Sequence, residues 1–167
     1  MAIQPLGKAD SGILIHCVLV TSFEAEYSFL RNVLWTAGMR VHHAESLEEA
    51  DFLLTVTGST VLLSDVIFDG GYWQGASELL RRAHPLVTML VVAEPADRAF
   101  VSDVLAHGAC GILWKPFEFA SLKHQIRVVH EAAEERRALT EEDERFKRLL
   151  PPKGLSKPAI RGGKAAY

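Results

Sequence analysis

The stretch Thr60-Val-Leu-Leu-Ser-Asp65 predicts a short β-strand that ends at an aspartate. Upstream, Cys17-Val-Leu-Val20 is apolar on every side, as expected of a strand that is covered on both faces. Between these two runs, apolar residues recur at helical spacing from Glu24 to Ala37, and Gly38 follows as a C-terminal cap. The centre of the chain therefore reads as strands that alternate with helices.

The same alternation extends in both directions. The predicted strands are Cys17–Val20, Met39–His43, Thr60–Ser64, Val87–Val92 and Gly111–Trp114. The predicted helices are Glu24–Ala37, Ser46–Leu54 (with Ser46 and Glu49 as a capping box), Gln74–Ala83, Asp97–His107 and a long one from near Glu118. Five strands that alternate with five helices predict an α/β fold, a three-layer, doubly wound, five-stranded parallel sheet.

In such folds the functional site lies at the carboxyl ends of the central strands. The candidate site residues are those that follow the predicted strands: Thr21, Ser22, Asp65, Ala93, Glu94, Lys115 and Pro116.

The segment Gly108-Ala-Cys-Gly-Ile-Leu-Trp-Lys-Pro-Phe117 resembles the Gly-Ala-x-x-(Tyr/Phe)-x-x-Lys-Pro-Phe segment of response-regulator receiver domains. The strand-end Asp65, the helix end at Gly38 and the helix start at Glu49 fall at the spacing of that family. The resemblance covers about Cys17 to Arg137. It implies a flavodoxin-like receiver fold with strand order 2-1-3-4-5 and a role in phosphorelay signalling.

The resemblance implies roles for individual residues. Asp65 would accept a phosphoryl group from a histidine kinase or a small phosphodonor, with its carboxylate exposed at the strand end. Lys115 would hold the phosphoryl oxygens, and the bond before Pro116 would be cis.

Several matching positions depart from the family. Thr21 and Ser22 stand where the resemblance places two acidic residues that hold magnesium, so we expect magnesium to bind weakly or not at all. Glu24 or Glu26 could reach back to the site, but both lie in the first turns of the following helix, where acidic residues favour the helix dipole, and we prefer that second interpretation.

Two further departures concern the family's conformational switch. Ala93 replaces the hydroxyl residue that ends the fourth strand, and Ile112 replaces the aromatic switch residue of the fifth. We therefore expect the usual switch not to operate. The loop after Asp65 is also longer than usual, and Gly70 and Gly71 predict a tight turn there. Beside it, Tyr72 and Trp73 either cover the site, meet a partner or pack on the next helix.

Composition excludes several classes of function. A net charge of −3 gives no basic excess for binding nucleic acid, and the longest early apolar run, Ile13–Val20, is too short to span a membrane. Cys17 and Cys110 each lie in an apolar run and are interpreted as buried thiols, so nothing argues for an oxidising compartment and we expect a cytoplasmic protein. His42 and His43 have no ligand-spaced partner, so no metal site is predicted there.

We divide the chain into a lead-in (1–12), a receiver domain (13–138), a helical extension (139–150) and a disordered tail (151–167). The extension is either a separate helix, capped by Thr140 and Asp143, or a continuation of the fifth helix. Its apolar residues Phe146, Leu149 and Leu150 either fold back onto the domain or form a docking patch.

The sequence thus predicts a single-domain receiver that is not an enzyme, with phosphorylation at Asp65 weakened or lost. Its expected partners are a histidine kinase or another signalling protein, or a second copy bound through the helix 4, strand 5 and helix 5 face. No cofactor is expected beyond weakly bound Mg²⁺. The alternative is a flavodoxin-like protein that binds a small cofactor, although the Thr21–Glu26 segment has no glycine and carries two carboxylates.

Overall fold

The computed structural model describes residues 14–152. The predicted lead-in and nearly all of the predicted tail, residues 1–13 and 153–167, lie outside the described part of the chain.

Five parallel strands form the central sheet. The strands of the described chain are β1 (Ile15–Val20), β2 (Met39–Ala44), β3 (Val61–Asp65), β4 (Ile67–Phe68), β5 (Gly71–Tyr72), β6 (Thr88–Ala93) and β7 (Gly111–Trp114). The sheet order is β2-β1-β3-β6-β7, and β4 and β5 pair separately as an antiparallel hairpin. Since β6 and β7 are the fourth and fifth strands predicted from the sequence, the predicted order 2-1-3-4-5 is confirmed.

Helices cover both faces of this sheet. They are α1 (Glu24–Trp35), α2 (Leu47–Thr57), α3 (Trp73–Ala83), α4 (Arg98–Ala106) and α5 (Phe119–Leu149). Ser46 caps α2 by accepting a hydrogen bond from the Glu49 amide, as its capping-box spacing predicts. Asp97 caps α4 in the same way, through the Phe100 amide.

Alternation along each strand divides the core into two layers. In β1, Cys17 and Leu19 belong to the layer that includes buried residues of α1 and α5, whereas Val18 and Val20 belong to the layer that includes α2, α3 and α4. Successive strand residues point to opposite faces, so a fully apolar strand is required where both faces are covered. The three-layer architecture therefore follows from the apolar runs.

The β4–β5 hairpin is an element that the sequence did not predict. Gly70 turns the chain with φ of +77°, and a Cβ atom on Gly71 would lie 2.7 Å from the Phe68 ring. At the end of the hairpin, the neighbouring aromatic residues Tyr72 and Trp73 have different environments. Trp73 is buried and packs edge-on against Phe100, whereas Tyr72 is exposed.

Helix α5 is one continuous helix of 31 residues, so the extension continues the fifth helix. Its first half presents the predicted inward stripe, and His130 Nδ1 lies 2.6 Å from the Thr60 hydroxyl. Arg137 then donates hydrogen bonds to the carbonyls of Gly58 and Ser59. Beyond it, the large apolar side chains of the extension are exposed rather than folded back: Leu139, Phe146, Leu149 and Leu150.

One prediction about burial is wrong. Cys17 is buried as predicted, but Cys110 is exposed, because it lies in the turn before β7 rather than within the strand. Among the described helices, none is both long and apolar enough to cross a membrane.

Candidate functional site

Asp65 ends β3 at the carboxyl edge of the sheet, and its side chain is only 4% exposed. Its Oδ2 atom accepts a hydrogen bond of 2.5 Å from the Thr21 hydroxyl. Its Oδ1 atom is buried, has no hydrogen-bond partner among the described residues and lies 3.7 Å from Lys115 Nζ. The prediction of an exposed carboxylate is therefore wrong, because the residues that follow β1 and β7 cover Asp65.

Thr21 and Ser22, which replace the expected acidic pair, have separate partners. Thr21 is buried, and its hydroxyl oxygen also accepts a 3.0 Å hydrogen bond from the Phe23 amide. Ser22 is exposed and accepts a 2.6 Å hydrogen bond from the Asp69 amide in the hairpin turn. The Thr21 hydroxyl thus hydrogen-bonds to the Asp65 carboxylate, and the Ser22 hydroxyl anchors the β4–β5 hairpin.

Lys115 follows β7, and its backbone amide donates to the Ala93 carbonyl. The bond between Lys115 and Pro116 is cis, as the resemblance implies. The ammonium group donates a 2.7 Å hydrogen bond to Oε2 of Glu26, a full ångström shorter than its distance to Asp65. Lys115 therefore lies beside Asp65 but pairs mainly with Glu26.

Glu26 is a site residue that the sequence pointed to only as the less favoured of two interpretations. Assigning it to the helix dipole is wrong, because its side chain is 9% exposed and reaches across from α1 to Lys115. Its other oxygen, Oε1, is buried and has no hydrogen-bond partner in the part of the chain that the structure describes. The only signal in the sequence is its place in the first turn after β1, and that position alone does not tell whether the carboxylate points inward.

Two carboxylates and one ammonium thus lie close together, and the pKa values of Glu26 and Lys115 are shifted. Burial raises the pKa of Glu26 to about 7, and the neighbouring Asp65 carboxylate adds to this rise, while Lys115 opposes it. For Lys115, burial lowers the pKa, but the hydrogen bond to Glu26 and the neighbouring carboxylates outweigh it, so the pKa of Lys115 is raised.

The two positions of the expected switch are both apolar and buried. Ala93 ends β6 at 4% exposure, and Ile112 in β7 is 8% exposed. A cleft of about 380 Å³ lies beside Asp65, and its lining includes the small side chains of Ala93 and Ala96. Its remaining lining residues are Phe23, Val66, Ile67, Val92, Glu94, Phe100 and Lys115.

These residues do not fit a magnesium ion of the kind that the receiver fold implies. Magnesium needs hard oxygen ligands, usually carboxylates. Here Thr21 occupies one oxygen of Asp65, and the ammonium of Lys115 lies against the only other buried carboxylate described at the site, Glu26. The described residues contain no group of three or more histidine, cysteine or acidic side chains placed to hold a metal ion.

Comparison with solved structures defines the class of fold. The chemotaxis protein CheY4 of Vibrio cholerae superposes with a TM-score of 0.63 at 19% identity, covering 70% of this chain and 99% of that one. The receiver domain of response regulator 1452 from Francisella gives 0.64 at 15% identity (71% and 98% covered). A beryllofluoride-activated NtrC4 receiver domain dimer gives 0.65 at 20% identity (71% and 98% covered).

The chain therefore has the fold of response-regulator receiver domains. No protein-family model matches its sequence, and neither does any curated protein.

Proposed function

We propose that this protein is a receiver-type signalling module of a phosphorelay, which acts mainly as a protein-interaction module. The observation that carries the proposal is the placement of Asp65 and Lys115, 3.7 Å apart, at the carboxyl edge of a sheet with the receiver strand order. In an open parallel sheet this edge is where functional groups assemble.

Phosphorylation of Asp65 is weakened in this proposal. Transfer would join an Asp65 carboxylate oxygen to phosphorus, while the bond from phosphorus to the donor breaks and the leaving group keeps the electron pair. Two contacts oppose this step. Thr21 donates to one carboxylate oxygen, and Lys115, which should neutralise the incoming oxygens, is engaged by Glu26.

A phosphoryl group on Asp65 would also have little means of changing the structure. A ligand shifts a conformational equilibrium only by its differential affinity for the two states. Ala93 offers no hydroxyl to contact a phosphoryl oxygen, and Ile112 is buried without a polar end that would favour a second position. The coupling between Asp65 and the rest of the domain is therefore reduced.

The surface formed by α4, β7 and α5 would then be presented constitutively. It carries the exposed apolar side chains Leu105, Trp114 and Val128, which suit a histidine kinase, another signalling protein or a second copy of this chain. Within the cell, a cytoplasmic location fits this role.

The proposal is tested by titrating ¹⁵N-labelled protein with the phosphoryl mimic beryllofluoride in the presence of magnesium. We expect amide shifts confined to the neighbourhood of Asp65 and Lys115, and nearly unchanged function in cells for Asp65→Asn. Broad shifts from residue 99 to residue 107 and at Ile112, or loss of function in Asp65→Asn, would show that signalling depends on a phosphorylation-driven rearrangement.

The alternative of a flavodoxin-like cofactor protein has less support. A phosphate-bearing cofactor at this edge of the sheet would meet the buried carboxylates of Asp65 and Glu26, which would repel it. A colourless purified protein excludes a bound flavin.

A further inference from the structure

We infer that Glu26 is a built-in carboxyl ligand of Lys115 that keeps the site closed to a phosphoryl group. The inference deepens the proposed function and rests on it, since it names the residue that restrains the site. It arises from the contacts of one side chain on α1 rather than from the residues that follow the strands.

The first support is the geometry of the ammonium group. Lys115 Nζ lies 2.7 Å from Glu26 Oε2, within hydrogen-bond distance, but 3.7 Å from Asp65 Oδ1, beyond it. An ammonium is a compact charge that a single close carboxylate largely neutralises. In this structure Glu26, and not Asp65, is the principal partner of Lys115.

The second support is the charge that a phosphoryl group would add. In the described part of the chain, the ion pairs of both Asp65 and Glu26 are made with Lys115. A group on Asp65 would have to compete with Glu26, whose side chain is 9% exposed, for the ammonium of Lys115. A buried carboxylate without its counter-ion is costly, and the new negative group beside it raises the cost further.

The third support is that the arrangement is not an ordinary structural ion pair. Glu26 Oε1 and Asp65 Oδ1 are both buried and have no hydrogen-bond partner within residues 14–152, although buried polar atoms are nearly always paired. Two carboxylates are thus placed around one cation, at a cost to stability, at the edge of the sheet where the functional site lies. Ionisable groups that are buried against one another in this way are characteristic of functional sites.

The experiment compares beryllofluoride binding to the full chain by ¹⁹F NMR, in the presence of magnesium. The variants are the wild type, Glu26→Gln and the matched control Glu24→Gln, which removes an exposed carboxylate from the same turn of α1. We expect Glu26→Gln to bind about tenfold more tightly than the wild type or better, because Lys115 is released without a buried charge being left behind. Glu24→Gln should bind like the wild type.

A second experiment measures the reactivity of Lys115 directly. An amine-reactive reagent is added at a fixed pH, and mass spectrometry gives the rate at which it labels Lys115, with Lys123 as the internal reference. Losing Glu26 lowers the pKa of Lys115 and frees its ammonium group, so labelling should be about threefold faster or more in Glu26→Gln. Equal labelling rates in wild type and variant would show that Glu26 does not hold Lys115.

A Glu26→Gln protein that binds beryllofluoride no more tightly than the wild type, including one that does not bind it at all, overturns the inference. Glu26→Thr serves as a second uncharged variant if the glutamine variant does not fold. Both readouts concern only Glu26, Lys115 and the phosphoryl mimic. They can therefore succeed in a protein that proves to have no phosphorelay partner, which keeps this inference distinguishable from the proposed function.

Discussion

Replacing Glu26 by glutamine should change how the stability of the protein depends on pH. In the folded protein the pKa of Glu26 is raised from 4.5 to about 7, chiefly because its carboxylate is buried. Folding therefore takes up a proton between these two values. The stability linked to this proton is fully present below about pH 4.5 and is lost as the pH rises through about 7.

The size of the effect follows from the pKa values. One pKa unit corresponds to about 1.36 kcal/mol, so a rise from 4.5 to about 7 gives an upper bound of about 3 kcal/mol. Because Asp65 and Lys115 share the interaction, we expect about 1–3 kcal/mol in practice. The wild type should lose this much more stability than Glu26→Gln between about pH 5 and about pH 8, since glutamine does not titrate.

The assay is urea unfolding at several pH values, followed by tryptophan fluorescence, for which the buried Trp73 is a suitable probe. Glu24→Gln is the control, because it removes a carboxylate that is exposed. Subtracting the Glu26→Gln curve from that of the wild type removes the histidines and other groups common to both. If the two curves run parallel within about 0.5 kcal/mol, the raised pKa of Glu26 is wrong.

Three further outcomes are expected. Magnesium should bind at least about tenfold more weakly than to a receiver with an acidic pair, and replacing Thr21 and Ser22 by aspartate should restore binding; submillimolar affinity of the wild type in a calorimetric titration would contradict this. Trp73→Ala should cost about 3–5 kcal/mol in urea unfolding because it empties a buried site, whereas Tyr72→Ala, at an exposed position, should cost less than about 1. Arg137→Ala should cost about 1–3 kcal/mol, because the carbonyls of Gly58 and Ser59 lose charged donors; an unchanged urea midpoint would show that these bonds do not anchor α5.

The sheet and its helices could be predicted from the sequence because their signals are local. The strand β3 begins with the apolar run Val61-Leu-Leu63, and the start of helix α2 is marked by the capping residues Ser46 and Glu49. Parallel strands align their carboxyl ends, so Asp65 and Lys115 could be placed at one edge before any coordinates were known. The β4–β5 hairpin escaped prediction since its strands have only two residues each.

The contacts within the site were decided by the tertiary structure alone. The sequence established that Thr21 and Ser22 lack charge. It did not show that Thr21 donates a hydrogen bond to Asp65, or that Ser22 accepts one from the hairpin. It showed Glu26 as one of two acidic residues in the first turn of a helix, a position that the helix dipole favours in any protein. Which of them is buried depends on the rotation of α1 against the sheet, and that rotation is set by packing across the whole layer rather than by neighbouring residues. The pairing of Glu26 with Lys115, 89 residues apart in sequence, therefore exists only in the folded chain.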